Sequence, residues 1–283
     1  MQSSTSDATV SAEMPTGFVD LHTHLVPGVD DGAQSIEDSL QMLNQAFHSG
    51  TNMLAATPHV YPGVQKDSEI ETLLQVRDQW IEWAGHEFPQ VRVMAGAEIH
   101  CTHALHETLK RFNHRLSLNS GDYILLEFPF DMLFPGLDKL LFLLQQDGWV
   151  PVIAHPERNE VIQRNPEVFA RMVSAGALTQ VNAGSLLGWF GDAPRKSALQ
   201  LLRRNLVHAV ASDAHWPEAR PADLSGANAM INDLDLGDAD LLLRRNPALI
   251  LQNQQVEHMP EPVPRKAAAG GFLSRLARHF QKE

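Results

Sequence analysis

Phe18-Val19-Asp20-Leu21-His22-Thr23-His24 is a short, mostly apolar run that ends in two histidines, and Asp30-Asp31-Gly32 follows in the next loop. Side chains alternate along an extended segment, so His22 and His24 face the same side. A helix pattern then begins at Ser35, a residue suited to capping; Ile36, Leu40, Leu43 and Phe47 form its apolar stripe and Gly50 its stop. This order of apolar run, polar ligand types and helix recurs along the chain. Candidate strands occupy 18–21, 52–57, 91–97, 123–128, 150–154, 177–181 and 207–212. Each is short and largely apolar, as strands buried on both faces require. Helix patterns lie between them: 137–146, stopped by Gly148; one opened by Pro166 and ended by Gly176; and one running from Pro194 to Asn205. About seven strand–helix units imply an α/β fold with a parallel sheet, most economically closed into a barrel.

The strand ends carry the polar residues. The first gives His22 and His24 with Asp30 and Asp31 in its loop, the second His59, the third Glu98, the fourth Glu127, the fifth His155, and the last Asp213 and His215. In a parallel barrel all C-terminal strand ends open on one mouth, so these groups converge. Singly, Glu127 reads as a buried ion pair and His59 as a hydrogen-bonded core histidine. Together, carboxylates and imidazoles without cations between them would be costly to desolvate and mutually repulsive. Divalent metals remove that cost, and a nitrogen-and-oxygen set without thiolate suits manganese, iron or zinc. Asp30 reads as serving the turn into the Ser35 helix.

Composition narrows the classes. The 283 residues carry 34 acidic and 22 basic side chains, a formal charge of −12, which disfavours general nucleic-acid binding. One cysteine forms no internal disulfide. Residues 1–17 lack the marks of a signal peptide, and no apolar run is long enough for a membrane span, so a soluble, cytoplasmic protein is expected. With no repeat and no internal linker, residues 17–258 read as one catalytic domain. Residues 1–16 read as a disordered extension and 259–271, rich in Pro, Ala and Gly, as a linker. Residues 272–283 read as a basic amphipathic helix with Phe272, Leu273, Leu276 and Phe280 on one face. That helix suits docking on its own domain or a neighbouring subunit, as in a homo-oligomer, or weak attachment to an anionic membrane.

The segments 18–32 (FVDLHTHLVPGVDDG), 55–59 (AATPH), 96–99 (GAEI), 125–128 (LLEF), 152–158 (VIAHPER) and 211–215 (ASDAH) resemble the polymerase-and-histidinol-phosphatase superfamily, and within it the bacterial tyrosine-protein phosphatases of capsular and exopolysaccharide biosynthesis. The resemblance spans roughly 18–255. It implies a distorted (β/α)7 barrel and a trinuclear site, with Mn2+ first among the expected ions and Fe or Zn as alternatives. By position, His22, His24, Glu98 and Asp213 would hold one metal. Glu98 would bridge to a second held with Glu127 and His155, and Asp31, His59 and His215 would hold the third. Arg158 and Arg220 follow the fifth and seventh strands, and the resemblance implies that they clamp phosphate, for which a guanidinium offers a planar fork of donors. Asn159 departs from the aromatic residue that the resemblance implies there, a difference that bears on substrate packing rather than on the chemistry.

The reaction expected is hydrolysis of a phosphotyrosine ester by a hydroxide bridging two metals. The substrate expected is a phosphotyrosine protein, with the resemblance pointing to an autophosphorylating tyrosine kinase of polysaccharide export. A cysteine nucleophile is disfavoured, because that chemistry needs Cys-x5-Arg and the sixth residue after Cys101 is Glu107. The nearest rival is a histidinol-phosphate or other small-phosphoester phosphatase on the same barrel. An amidohydrolase would want a lysine at a strand end, where this chain has none.

Overall fold

The computed structural model describes residues 14–257. Nine strands run in the order β1 (Phe18–Thr23), β2 (Thr51–Ala56), β3 (His59–Val60), β4 (Arg92–Ala95), β5 (Glu98–His100), β6 (Tyr123–Glu127), β7 (Val150–Ala154), β8 (Leu178–Asn182) and β9 (Ala209–Ala211). All pairings are parallel, in two sheets ordered β1-β2-β4 and β3-β5-β6-β7-β8-β9. The expected strands 52–57 and 91–97 correspond to β2 and β4, and each is followed by a short further strand, β3 and β5, that the sequence reading did not include. Pro58 has no N–H for the ladder and separates β2 from β3, and Gly96-Ala97 separates β4 from β5. Thr57 N–H to Thr23 O at 2.8 Å and Glu98 N–H to Pro58 O at 3.1 Å bridge the breaks. At the other edge β9 lies beside β1: Asp213 N–H bonds His22 O at 2.9 Å, and His24 N–H bonds Ala214 O at 2.8 Å.

The strands divide their side chains between two cores, which is why they read as continuous apolar runs. On β6, Tyr123 and Leu125 enter a cluster with Val19, Leu21, Val152, Ala154, Ala209 and Ala211, while Ile124 and Leu126 pack outward under the helices with Ile153 and Val210. Burying one such leucine contributes about 1.5–3 kcal/mol. The period of two continues into the site, so Glu127 shares a face with Leu125 and stands on top of the inner cluster.

The helix Ile36–His48 starts as its sequence requires: Ser35 accepts from Asp38 N–H at 3.1 Å, and Asp38 answers with a bond from Ser35 N–H at 3.0 Å. Its buried face agrees with the expected stripe at Leu43, with Leu40 partly buried against the same cluster, and departs from it at the other two positions. Ser39, Met42, Leu43 and Ala46 are buried, while Ile36 and Phe47 are exposed, because the small residues let the helix lie close on β2. The expected Pro194 start is also displaced: that helix spans Asp192–Arg203 and places the proline inside its first turn. Of the expected N-terminal extension, residues 14–16 touch the domain: Met14 packs on the inner cluster and Asn52 Nδ2 bonds Thr16 Oγ1 at 3.1 Å. Residues 1–13, the expected linker 259–271 and the expected helix 272–283 lie outside the described residues. Among the described residues no helix is long and apolar enough to cross a membrane.

Candidate metal centre

All nine sequence-predicted donors come together where the strands end. Four overlapping groups have donor atoms close enough to share an ion: His24, Asp31, His59 and His215; His22, Glu98 and His155; His22, His24 and Asp213; and His59, Glu98 and Glu127. These groups overlap more than the expected partition into three sets, since His24 also joins the Asp31 group and His59 also meets Glu98 and Glu127. All but Asp31 are buried.

Backbone geometry aims these side chains. His155 and Asp213, directly after β7 and close after β9, have left-handed φ values of 31° and 53°, uncommon for residues other than glycine. Such conformations cost of order 1–3 kcal/mol and persist where surrounding structure enforces them. The loop carrying Asp30 and Asp31 folds back so closely that a Cβ at Gly32 would lie 2.2 Å from His24 O. Only glycine fits there, and the close approach brings Asp31 over the histidines.

The hydrogen bonds fix which imidazole nitrogens are available. His22 Nδ1 donates to Gln180 Oε1 at 2.9 Å, and His24 Nδ1 donates to Asp30 Oδ2 at 2.8 Å. In the neutral rings both Nε2 lone pairs are therefore free, and these two atoms face each other at 3.0 Å. His215 Nδ1 donates to Asp213 O at 3.0 Å, which presents its Nε2 to Asp31 Oδ1 at 3.4 Å. Glu98 Oε2 is buried with no hydrogen bond, although His22 Nε2, His24 Nε2 and His59 Nδ1 stand 3.2, 3.4 and 3.0 Å away. Opposed lone pairs and an unbonded buried carboxylate oxygen are what divalent cations would resolve, so the residues present fit the metals.

Electrostatics point the same way. Burial raises the Glu98 carboxyl, but the charge of His22, the bond from His155 to its other oxygen and the nearness of His22 and His24 outweigh it and hold the group well below the ordinary range. Asp213 is likewise held far down against burial, by His22, His24 and Arg220. Burial opposes charge on His59, yet the carboxylates of Asp31 and Glu98 beside it lift its pKa to about 10. His215 moves down, through burial and the charge of His24. The carboxylates thus make a potential that holds positive charge at the imidazole nitrogens, where a metal would take the place of the proton.

Arg158 and Arg220 stand where the sequence reading put them, at the mouth. Asp213 divides its oxygens between the two sets: Oδ1 faces His22, His24 and His215 at 3.4–3.5 Å, while Oδ2 accepts from Asn182 Nδ2 at 2.6 Å, from Arg158 Nη1 at 3.3 Å and from Arg220 Nη2. Both arginines line a cavity of about 270 Å³ with Asp31, His59, Tyr61, Glu98, His100, Glu127, Phe130, His155, Asp213 and His215.

Sequence reading missed several supporting groups. Asp30 does serve the turn, accepting from Gly32 N–H at 2.9 Å, but it also anchors His24 and accepts from His59 N–H at 3.1 Å. Gln180 and Asn182 on β8 support His22 and Asp213, and two polar residues at a spacing of two beside an apolar run were the available signal. His100 bonds Glu127 Oε2 through Nδ1 at 3.1 Å. Asn159 caps the following helix, accepting from Ile162 N–H at 3.0 Å, and its amide donates to Pro129 O and Met132 O at 2.6 and 3.1 Å. It thereby fastens the loop that carries Phe130 to the segment that carries Arg158.

A fold of parallel strands with a His/Asp/Glu cluster and paired arginines at their C-terminal ends belongs among the α/β proteins that assemble sites from strand-end loops. Residues 18–252 match the family model described as capsular polysaccharide synthesis, CpsB/CapC, and the chain belongs to that family. It is 36% identical over 256 residues to tyrosine-protein phosphatase YwqE of Bacillus subtilis, covering 90% of this chain and 100% of the relative. It is 32% identical to putative tyrosine-protein phosphatase CapC of Staphylococcus aureus, covering 84% and 93% respectively. A solved structure from work on YwqE of Bacillus subtilis and CpsB of Streptococcus pneumoniae, presented there as unique metal-dependent tyrosine phosphatases, aligns with a TM-score of 0.77 at 35% identity, over 87% of this chain and 100% of that one.

Proposed function

We propose that the protein is a metal-dependent protein-tyrosine phosphatase. One observation carries the reading: in a chain of this family, nine nitrogen and oxygen donors and two arginines converge on one cavity, with opposed imidazole lone pairs at 3.0 Å. His22, His24, Asp31, His59, Glu98, Glu127, His155, Asp213 and His215 would hold up to three divalent ions, Mn2+ among them. Such ions supply Lewis acidity and lower the pKa of water toward ~7. The chain's own groups do the remaining work. Arg158 and Arg220 bind the phosphoryl oxygens and offset charge as the ester bond breaks. Asp213 ties these arginines to the imidazole set, so phosphate and metal donors keep one relative position. Tyr61 and Phe130 wall the cavity with aromatic surface suited to a phenyl ring. Cys101 is excluded as a nucleophile: it is buried, and burial pushes its thiol up to about 12, so almost no thiolate forms at neutral pH.

The architecture we infer is the distorted (β/α)7 barrel, in which β2 with β3 and β4 with β5 are interrupted single strands. The bonds between β1 and the segment after β9 support that reading. The substrate is a phosphotyrosine protein, and we assign an autophosphorylating tyrosine kinase of capsule or exopolysaccharide biosynthesis to that role, acting in the cytoplasm. The test compares phosphate release from a phosphotyrosine peptide and from histidinol phosphate, with metal content measured on the same preparation. Preferred turnover of the peptide, lost on chelation and restored by Mn2+, is expected. Undiminished turnover after chelation, or preference for histidinol phosphate, would overturn the assignment.

A further inference from the structure

We propose that Phe190 is the positioning residue that holds Arg158 and Arg220 together as one phosphate clamp. The proposal rests on the reading that these arginines bind phosphate. The Arg158 Cζ lies 4.5 Å from the Phe190 ring centroid and the Arg220 Cζ lies 5.3 Å from it, so a single ring serves both guanidiniums. Two like charges drawn to one carboxylate oxygen, Asp213 Oδ2, repel each other, and the electron-rich face of a shared ring offsets part of that repulsion. Phe130 adds a second ring 4.5 Å from Arg158.

The chain seats Phe190 tightly. It lies between the helices Ala183–Leu187 and Asp192–Arg203, in a turn closed by Trp189 N–H to Gly184 O at 2.9 Å and Gly191 N–H to Gly188 O at 3.1 Å. A Cβ at Gly184 would come within 2.9 Å of Phe190 Cε2 and 2.7 Å of Trp189 Cε3, so bare backbone is the surface on which the ring rests. The ring is half-buried. The two guanidiniums lie over its face.

The experiment uses the full-length, metal-loaded protein and measures inhibition by inorganic phosphate together with kcat/KM on para-nitrophenyl phosphate. Phe190→Leu and Phe190→Met remove the ring but keep apolar bulk, whereas Phe190→Tyr keeps the ring. Loss of two cation–π contacts should raise the phosphate inhibition constant roughly 5- to 30-fold in the non-aromatic variants, with metal content unchanged and Phe190→Tyr close to wild type. In an Arg158→Ala, Arg220→Ala background, Phe190→Leu should add less than about twofold, since nothing remains to be positioned. Three results overturn the proposal: an undiminished further loss in that background, an equal loss in Phe190→Tyr, or unchanged phosphate inhibition in both non-aromatic variants while Arg158→Ala weakens it. If neither Arg158→Ala nor Arg220→Ala weakens phosphate inhibition, the clamp reading itself fails.

Discussion

Two regions of the molecule gather arginines onto carboxylates, and they do so in opposite proportion. Near the C-terminal end of the described chain, Arg244 makes a two-pronged contact with Asp240 at 2.5 and 2.6 Å, and Arg245 meets Asp238 at 2.6 Å, Asp240 at 3.0 Å and Glu257. Two guanidiniums there have three carboxylates to satisfy them, all partly in water. At the mouth, two guanidiniums converge on one oxygen of the buried Asp213, and Arg220 Nε is buried without a partner. All three nitrogens of Arg244 and of Arg245 are bonded, whereas Arg158 and Arg220 each reach Asp213 through a single nitrogen, so of the five donors on each guanidinium more are left over at the mouth. A surplus of directed donors beside a cavity is what the proposed phosphate clamp would use; a more fully bonded set at the surface is a staple.

The comparison breaks most sharply at the metal donors. Glu98→Gln removes a charge and a ligand oxygen together, and turnover should fall by several orders of magnitude while circular dichroism keeps its shape. Chelation of the wild type should match it. Next come the arginines. Arg158→Lys and Arg220→Lys keep the charge but lose the fork, and a hydrogen bond to a charged group contributes about 1.5–3 kcal/mol, so kcat/KM should drop roughly 10- to 100-fold. Wild-type kinetics in both would show that the donor surplus binds nothing.

Asn159→Ala tests the frame of the mouth. It deletes a helix cap and two bonds to loop carbonyls, which should cost about 1–3 kcal/mol of stability, read as a lower melting temperature and looser protection of residues 129–132 in hydrogen exchange. The smallest effect belongs to the surface staple. Hydrogen bonds from Arg244 hold Asp240 below its ordinary pKa of 3.8. A depressed carboxylate stabilises fully above its unfolded pKa, and the contribution fades as pH falls through the folded value. Asp240→Asn should therefore lower stability by under ~1 kcal/mol near neutrality, less in high salt, and the gap from wild type should close below about pH 4, with turnover unaltered.

Much of the site was legible because ligand chemistry is local in sequence once the strands are placed. His22-x-His24 and Asp213-x-His215 flag themselves, and Val150–Ala154 was read to the residue because an apolar run between Gly148 and His155 has few alternatives. The helix face at Ile36–His48 was misread in part, because hydrophobicity alone favours Ile36 and Phe47 over Ser39 and Ala46. Close packing on β2 instead selects the small side chains, and Ser39 satisfies its hydroxyl on Leu25 O at 2.6 Å. Asp30 and Asp31 show the same limit in adjacent residues. Either could be the ligand by composition, and the fold of the loop sends Asp31 toward His59 and His215 while it turns Asp30 onto the far nitrogen of His24.

The sequence by itself determined the alternation of buried strands and amphipathic helices, the donor types at the strand ends and the absence of a cysteine-phosphatase loop, because apolar periodicity and ligand chemistry are written residue by residue. Only the tertiary structure decided that Gln180 and Asn182 hold the site's members in place, that Asp213 splits its oxygens between imidazoles and arginines, and that Phe190 lies under both guanidiniums. Most of those are relations between residues tens to nearly two hundred positions apart, and their geometry is set by how parallel strands stack and where their loops turn.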